Sequence, residues 1–271
     1  MTRLVCLAVV VALASRVPVK AQEKKDPPKN FTNSIGMKFV WIPPGNFKMG
    51  SPKEEMDRKE NETQHKVTLT KGFYMGVFTV TQEQWKEVMG NNPSTFKGEK
   101  NLPVDNLSWD DCQEFIKKLR EKDKKVYRLP TEAEWEFCCR AGTKTPFHFG
   151  ETISTDQANY FGEAVYGDGN KGVYRKKTTA VGSFPANAWG LHDMHGNVCQ
   201  WCQDWHGDYP QKDVIDPKGP EKGDVRVLRG GSWLNSPGSC RSAYRGWGGP
   251  GSRYDDGLRV FLRGLEGLEV L

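Results

Sequence analysis

RVLRGGSWLNSPGSCRSAYR, residues Arg226–Arg245, is the stretch around which the chain reads as organised. It opens as a short strand: Val225, Val227 and Leu228 are interleaved with Arg226 and end at Arg229. It then breaks at Gly230-Gly231, where two residues without Cβ allow a turn or a close backbone approach. Ser232 and Trp233 follow, then a polar loop with Pro237-Gly238, then Cys240, Arg241, Ser242 and Arg245. Two readings fit these residue types. One is the lip of an active site. The other is a structural turn locked by a disulfide, as loop cysteines of exported chains commonly are.

Upstream, the chain alternates short strands with capped helices. Met37–Ile42 is strand-like and stops at Pro43-Pro44-Gly45, and Asn46–Gly50 reads as the return strand of a hairpin. Ser51–Gln64 is a run of charge that reads as a solvated excursion. His65–Thr70 alternates again. Thr81 with Gln84, Ser108 with Asp111, and Thr131 with Glu134 have the spacing of capping boxes and predict three helices. Trp109, Cys112, Phe115, Ile116 and Leu119 form the apolar face of the second, and Trp135, Cys138 and Cys139 point inward from the third. From Phe147 to Val181 no period is visible, and a loop of that length is usually functional or tied down by an ion or a disulfide. These elements predict an α+β protein with much irregular structure, folded as a single domain over residues 31–263.

Composition sets the remaining bounds. The chain has 271 residues and is 37% hydrophobic, with 9 Trp, 13 Phe and 8 Tyr, enough to fill a core and too aromatic for disorder. Residues 1–21 carry Arg3, the apolar run Leu4–Ala14 and small residues before Gln22, which reads as a cleaved secretory signal. Residues 22–30 read as a linker and 264–271 as a short tail. These features place the mature protein outside the cell or in a periplasm, with no membrane span after cleavage. Cleavage would remove three positive charges from a formal +5, leaving little basis for nucleic-acid binding. The cysteines beyond the signal are Cys112, Cys138, Cys139, Cys199, Cys202 and Cys240, an even count that favours disulfides in an exported chain.

Other constellations carry less. His192 and His195 flank Asp193, but the glycines around them argue for a turn rather than a zinc-binding helix. Cys199 and Cys202 have C-x-x-C spacing in an aromatic, strand-like segment, where alternation points them to opposite faces. A thioredoxin-like dithiol would instead open a helix.

Several segments, in order, resemble the formylglycine-generating enzyme or sulfatase-modifying-factor family. They are NSIGMKFVWIPPGNFKMGS, VTQEQWKEVM, LPVDNLSWDDC, YRLPTEAEWEFCCRAG, GLHDMHGNVCQWCQDW, RVLRGGSW, CRSAYR and GLRV, and they cover nearly all of Asn33–Val260. The resemblance implies the formylglycine-generating-enzyme fold, an α+β fold related to C-type lectins. Active members oxidise, with O2, the cysteine of a C-x-P-x-R segment in an unfolded sulfatase, using Cu(I) held between two cysteines spaced C-x4-C. Thiolates suit this soft ion. By resemblance Ser232 matches the active-site serine, Cys240 the second catalytic cysteine and Arg245 an arginine that helps hold substrate. Asn235 stands in place of the first catalytic cysteine, and Cys199 in place of an active-site Trp.

The resemblance also implies calcium. One site would use Asn159 and the Tyr160 carbonyl, the other Asp193, Gly196, Val198 and Gln200, with Gln200 replacing a glutamate. It implies a Cys139–Cys240 disulfide as the alternative to a catalytic Cys240. Three functions follow as expectations. The leading one is an exported member without the copper pair, acting as a binding or protein-modifying module on an unfolded sulfatase or another exported segment. The second is a formylglycine-generating oxidase that uses Cys240 with copper. The third, from fold analogy alone, is a C-type-lectin-like glycan binder.

Overall fold

The structure, a computed structural model, describes residues 27–253, 256–259 and 261–263. The predicted signal, most of the predicted linker and the 264–271 tail lie outside the described residues. In chain order the first strands are β1 (Asn30–Thr32), β2 (Lys38–Ile42), β3 (Gly45–Met49), β4 (His65–Leu69) and β5 (Phe73–Gly76). Helices α1 (Gln82–Met89) and α2 (Trp109–Asp123), strand β6 (Tyr127–Arg128) and helix α3 (Glu132–Arg140) follow. After a long irregular segment come β7 (Cys199–Trp205), β8 (Val214–Ile215) and β9 (Arg226–Arg229), and then a 3-10 turn at Pro237–Cys240. Strands β10 (Gly246–Gly248), β11 (Asp256–Gly257) and β12 (Phe261–Arg263) complete the fold. No helix among the described residues is long and apolar enough to cross a membrane.

These strands form three small sheets, ordered β1-β2-β5-β12-β6, β10-β9-β7-β11 and β3-β4-β8. The first is antiparallel throughout. The other two each add one parallel edge strand, β11 on β7 and β8 on β4. The predicted hairpin of residues 37–50 is corrected here. Strand β2 pairs with β1 and β5, and β3 pairs with β4 in a different sheet. Both edges of β2 are therefore filled, and Pro43-Pro44, lacking N–H groups, carries the chain out of the ladder. Gly45 then passes so close to Phe137 of α3 that a Cβ there would meet the ring at 2.8 Å.

All three predicted capping boxes form, each Thr or Ser side chain accepting from the N3 amide while the N3 side chain reaches back. Helix α1 ends at Gly90 with φ 81°. Cys112, Phe115, Ile116 and Leu119 of α2 are buried, and Trp85 of α1 lies flat on Phe115 with ring centroids 5.1 Å apart. Each such side chain contributes about 1.5–3 kcal/mol on burial. This cluster fills the space between the helix pair and the first sheet. Cys199 packs against it, whereas Cys202 belongs to the second cluster under α3, so the two cysteines do face opposite ways along β7.

Helix α3 is buried at every position, including its three glutamates. Glu132 accepts from Arg245 at 2.7 and 2.9 Å and from Arg229 at 3.3 Å. Glu136 accepts from Arg229 at 2.6 Å, Arg140 at 2.8 Å and the Gly50 amide at 2.9 Å. Glu134 receives the forked guanidinium of Arg128, 2.7 Å to each oxygen. Burial pushes the Glu132 carboxyl up, but Arg245 and Arg229 outweigh it and hold the group below the usual carboxylate range. The charged run of residues 51–64 is largely solvated, with Lys53, Glu54, Asp57, Lys59 and Glu60 exposed, but it is anchored at Glu55 and Glu62. Arg241, fully buried, holds Glu62 at 2.8 and 2.9 Å, pairs with Glu55 and donates to the Asp57 carbonyl.

Removing one partner of such a pair strands the other without solvent. Glu136→Ala leaves Arg229 and Arg140 short of a counter-charge, and the expected loss is roughly 3–5 kcal/mol. Urea unfolding of the variant checks this, and a loss below about 1 kcal/mol would mean that water replaces the carboxylate.

Candidate functional site

Strand β9 delivers the Gly-Gly turn to a crowded place. Gly230 (φ 91°) and Gly231 (φ 65°) both have the left-handed backbone that glycine adopts without strain. A Cβ on Gly230 would meet the Met194 carbonyl and the Trp135 ring at 3.1 Å, and one on Gly231 would meet the Cys240 sulfur at 2.7 Å. The pair lets the chain pass between α3 and the 3-10 turn and then places Ser232, which is fully buried.

Asn235 is the hub of the corner that follows. Its Oδ1 accepts from the Ser232 amide at 2.9 Å, the Ser232 hydroxyl at 2.9 Å and the Cys199 thiol at 3.6 Å. Its carbonyl accepts from the Phe161 amide at 2.9 Å, and Trp233 is tied to the Asn197 carbonyl at 3.1 Å. Trp233 heads an aromatic wall: Phe96 meets it edge-on at 5.4 Å, Tyr174 stacks at 6.2 Å, and Phe161 abuts Tyr174 at 4.8 Å. The Trp233 Nε1 is buried without a hydrogen-bond partner. Ser232, Asn235 and the partly exposed Cys199 thus share one corner. The place of Cys199 in it was visible by resemblance; its contact with Asn235, from a strand 36 residues away, was not.

The other predicted site residues lie elsewhere. Cys240 is fully buried, with its sulfur against Gly231. Arg245 makes no contact with Ser232. Its guanidinium is spent on Glu132 and the Asn61 carbonyl and lies 3.7 Å over the Tyr209 ring. A buried guanidinium needs such a counter-charge, and in this structure Arg245 finds it in the α3 carboxylate. Cys139 and Cys240 are not bridged to each other in this structure. The Cys139 sulfur lies 3.7 Å from His195 Nε2, 3.5 Å from the Ser242 hydroxyl and 3.8 Å from the Met194 carbonyl. His195 stands between the two cysteines, donating through Nδ1 to the Cys240 carbonyl at 2.7 Å and accepting the His148 amide at Nε2, 3.1 Å. Burial pushes Cys139 up to about 12 and His195 well below its usual range, so both are neutral.

The long irregular segment meets β7 through side-chain amides. Asn159, fully buried, donates from Nδ2 to the Lys177 carbonyl at 2.9 Å and to Asn197 Oδ1 at 3.1 Å. Its Oδ1 has no partner. Asp193 accepts the Gly182 amide at Oδ2, 2.8 Å, while its Oδ1 is buried and unpartnered. Burial, only partly offset by hydrogen bonding and Arg259, pushes Asp193 up. Two orphaned buried oxygens suit a hard cation such as calcium. Gln200 does not suit it. Its Oε1 already accepts from Trp135 Nε1 and Arg259 Nε, each at 2.9 Å, and its Nε2 donates to the Asp193 carbonyl at 2.9 Å. Among the described residues, no cluster of three or more His, Cys, Asp or Glu is placed to hold a metal.

Comparison with known proteins places this arrangement. Residues 23–263 match the family described as the sulfatase-modifying factor enzyme 1-like domain. The structure is similar to that of PvdO from Pseudomonas aeruginosa, with TM-score 0.74 and 30% identity over 88% of this chain and 99% of that one. It is similar to Treponema denticola variable protein 1, with TM-score 0.72 and 30% identity over 87% and 98% of the two chains. The sequence is 33% identical to the chaperone protein LppX of Paenibacillus barcinonensis, over 74% of this chain and 84% of that protein. It is 30% identical to the serine/threonine-protein kinase pkn1 of Chlamydia caviae over 89% of this chain, but spans only 39% of the kinase's length. It is 33% identical to the formylglycine-generating enzyme of Bos taurus over 59% of this chain and 41% of that enzyme. With this match, these relatives and an α+β fold of few helices and several small sheets, the chain belongs to the sulfatase-modifying factor enzyme 1-like family.

Proposed function

We propose that this domain has exchanged the family's copper chemistry for binding or modification of an exported protein segment, at the corner formed by Ser232, Asn235 and Cys199. The observation that carries this reading is the chemistry at Asn235. A hard amide oxygen is a poor partner for Cu(I), and this one is already shared among two Ser232 donors and the Cys199 thiol. Similar proteins that go by other names, a chaperone among them, support a family whose members are not all oxidases. In this reading the aromatic wall of Trp233, Tyr174 and Phe96 receives a segment of chain, and Ser232 keeps the turn closed. Secretion or a periplasmic location is part of the proposal and rests on residues 1–21.

A second reading has one observation in its favour. Cys199 brings a thiol to 3.6 Å from Asn235, which stands in place of the missing cysteine, so an oxidase would draw its sulfur pair from Cys199 and Cys240. An aerobic assay with Cu(I) and a C-x-P-x-R peptide, read by mass spectrometry, separates the two. The expected result is no aldehyde from the wild type, and Cu(I) binding gained by Asn235→Cys. Aldehyde from the wild type that disappears in both Cys199→Ser and Cys240→Ser would establish the oxidase instead.

Calcium belongs to the same proposal. Asn159 and the Tyr160 carbonyl would hold one ion. Asp193 with the Gly196 and Val198 carbonyls would hold another, with Gln200 withdrawn from the set. Such an ion would neutralise Asp193 and fix the irregular segment against β7. Calcium at about 100 times its Kd is expected to add about 2.7 kcal/mol of stability. Asn159→Ala should remove the increment due to the first ion, and a melting temperature indifferent to both calcium and chelator would dismiss the sites.

A further inference from the structure

Beside the first turn of α3 lies a cavity of about 450 Å³, within the usual range for small-molecule sites of about 300–1,000 Å³. Its floor is the first turn of α3, with Glu132 and Ala133, and one wall is the end of β7, with Asp204 and Trp205. Met49 and His65 form the opposite wall, where β3 and β4 meet, and the segment from Gly207 to Pro220 is the roof. We propose that this cavity binds a neutral, ring-shaped polyol of the size of a mono- or disaccharide, independently of calcium and of the Ser232 corner.

The argument begins with charge. Glu132 and Arg245 neutralise one another through two hydrogen bonds, the Tyr209 hydroxyl donates to Glu132 at 3.0 Å, and Arg245 spends its remaining reach on the Asn61 carbonyl. The remaining charged residues of the lining, Asp208 and Lys218, are exposed and of opposite sign, so the lining as a whole favours neither an anionic nor a cationic ligand. The polar groups that remain match hydroxyls, which both donate and accept. Asp204 accepts the Glu132 amide at Oδ2, 2.9 Å, and its other oxygen lies against Gly219. Burial, and then the neighbouring Glu132 charge, push Asp204 up to about 8, so at neutral pH it is a carboxylic acid able to donate. His65 is bonded through Nδ1 to the Thr63 carbonyl at 3.0 Å, which in the neutral ring leaves Nε2 as an acceptor. Flat surfaces complete the fit. Tyr209 is held by Arg245 above it and by the His65 ring at 4.8 Å, and Trp205 is backed by Arg226 at 3.3 Å. Rigid aromatic planes beside a few fixed polar groups suit a ring with C–H faces and hydroxyl edges.

The test uses the whole chain, with intrinsic tryptophan fluorescence and ligand-observed NMR. The probes are neutral mono- and disaccharides, a uronic acid and a proline-rich peptide, each with and without chelator. A neutral saccharide should bind saturably and ignore the chelator. Ile215 sits at the rim, 69% exposed, so Ile215→Trp should plug the mouth without disturbing the fold. That variant should weaken binding by about tenfold or more at an unchanged melting temperature. Asp204→Asn, which keeps an acceptor for the Glu132 amide, should change affinity while the protein stays folded. The proposal is overturned if no neutral saccharide saturates, if only the uronic acid or the peptide binds, or if binding ignores Ile215→Trp. Chelator-sensitive binding would also overturn it, placing the sugar at the Asn159 and Asp193 loops instead. None of these outcomes depends on what the Ser232 corner does.

Discussion

The ion pairs of Glu132 and Glu136 with Arg229 and Arg245 are the constraint on which the rest of the molecule depends. Helix α3 has no solvent face, so its carboxylates must find cations inside the protein, and each cation comes from a different part of the chain. Arg229 ends β9, Arg245 precedes β10, and Arg140 closes the helix while reaching the Gly50 carbonyl at 2.9 Å. Guanidinium and carboxylate meet only in a narrow range of geometries, so these contacts fix where the second and third sheets stand relative to the helix. Buried pairs of this kind add little net stability over an apolar core of the same volume; what they impose is position.

Where regular structure ends, side chains take over the work of a ladder. Asn187 caps the Trp189 and Leu191 amides with Oδ1 and reaches the Cys138 carbonyl with Nδ2. Asn197 does the same for Thr179, accepting its amide and donating to its carbonyl. Buried backbone groups need partners whether or not a strand supplies them. Short polar side chains able to bond locally are the economical source of those partners. The long segment between α3 and β7 is therefore ordered without being regular, and it brings Phe161 and Tyr174 to the wall beside Trp233.

What was legible in the sequence follows the range of the forces involved. The three capping boxes act over three residues, and all three helices stand where their spacing puts them. The strands of residues 38–49 show their alternation equally well, but nothing local says which neighbour each will choose, and the hairpin reading failed there. The charged run of residues 51–64 gives no sign of its anchor, because Arg241 lies 179 residues from Glu62. In the same way the resemblance located Ser232, Asn235 and Cys240, while the turning of Arg245 toward α3 depends on a glutamate 113 residues earlier.

The carboxylate frame separates two kinds of burden. Asn235 answers to Ser232, three residues before it, and to Cys199, and neither belongs to the ion pairs of α3. A side chain at that corner can be exchanged for one of different chemistry at a cost confined to the turn and its one contact with β7, because none of the α3 ion pairs passes through it. A scaffold of this design serves as a chassis: the body is held by the ion pairs, and the side chains at its edge answer to separate demands. An amide at residue 235 is thus compatible with an undamaged fold.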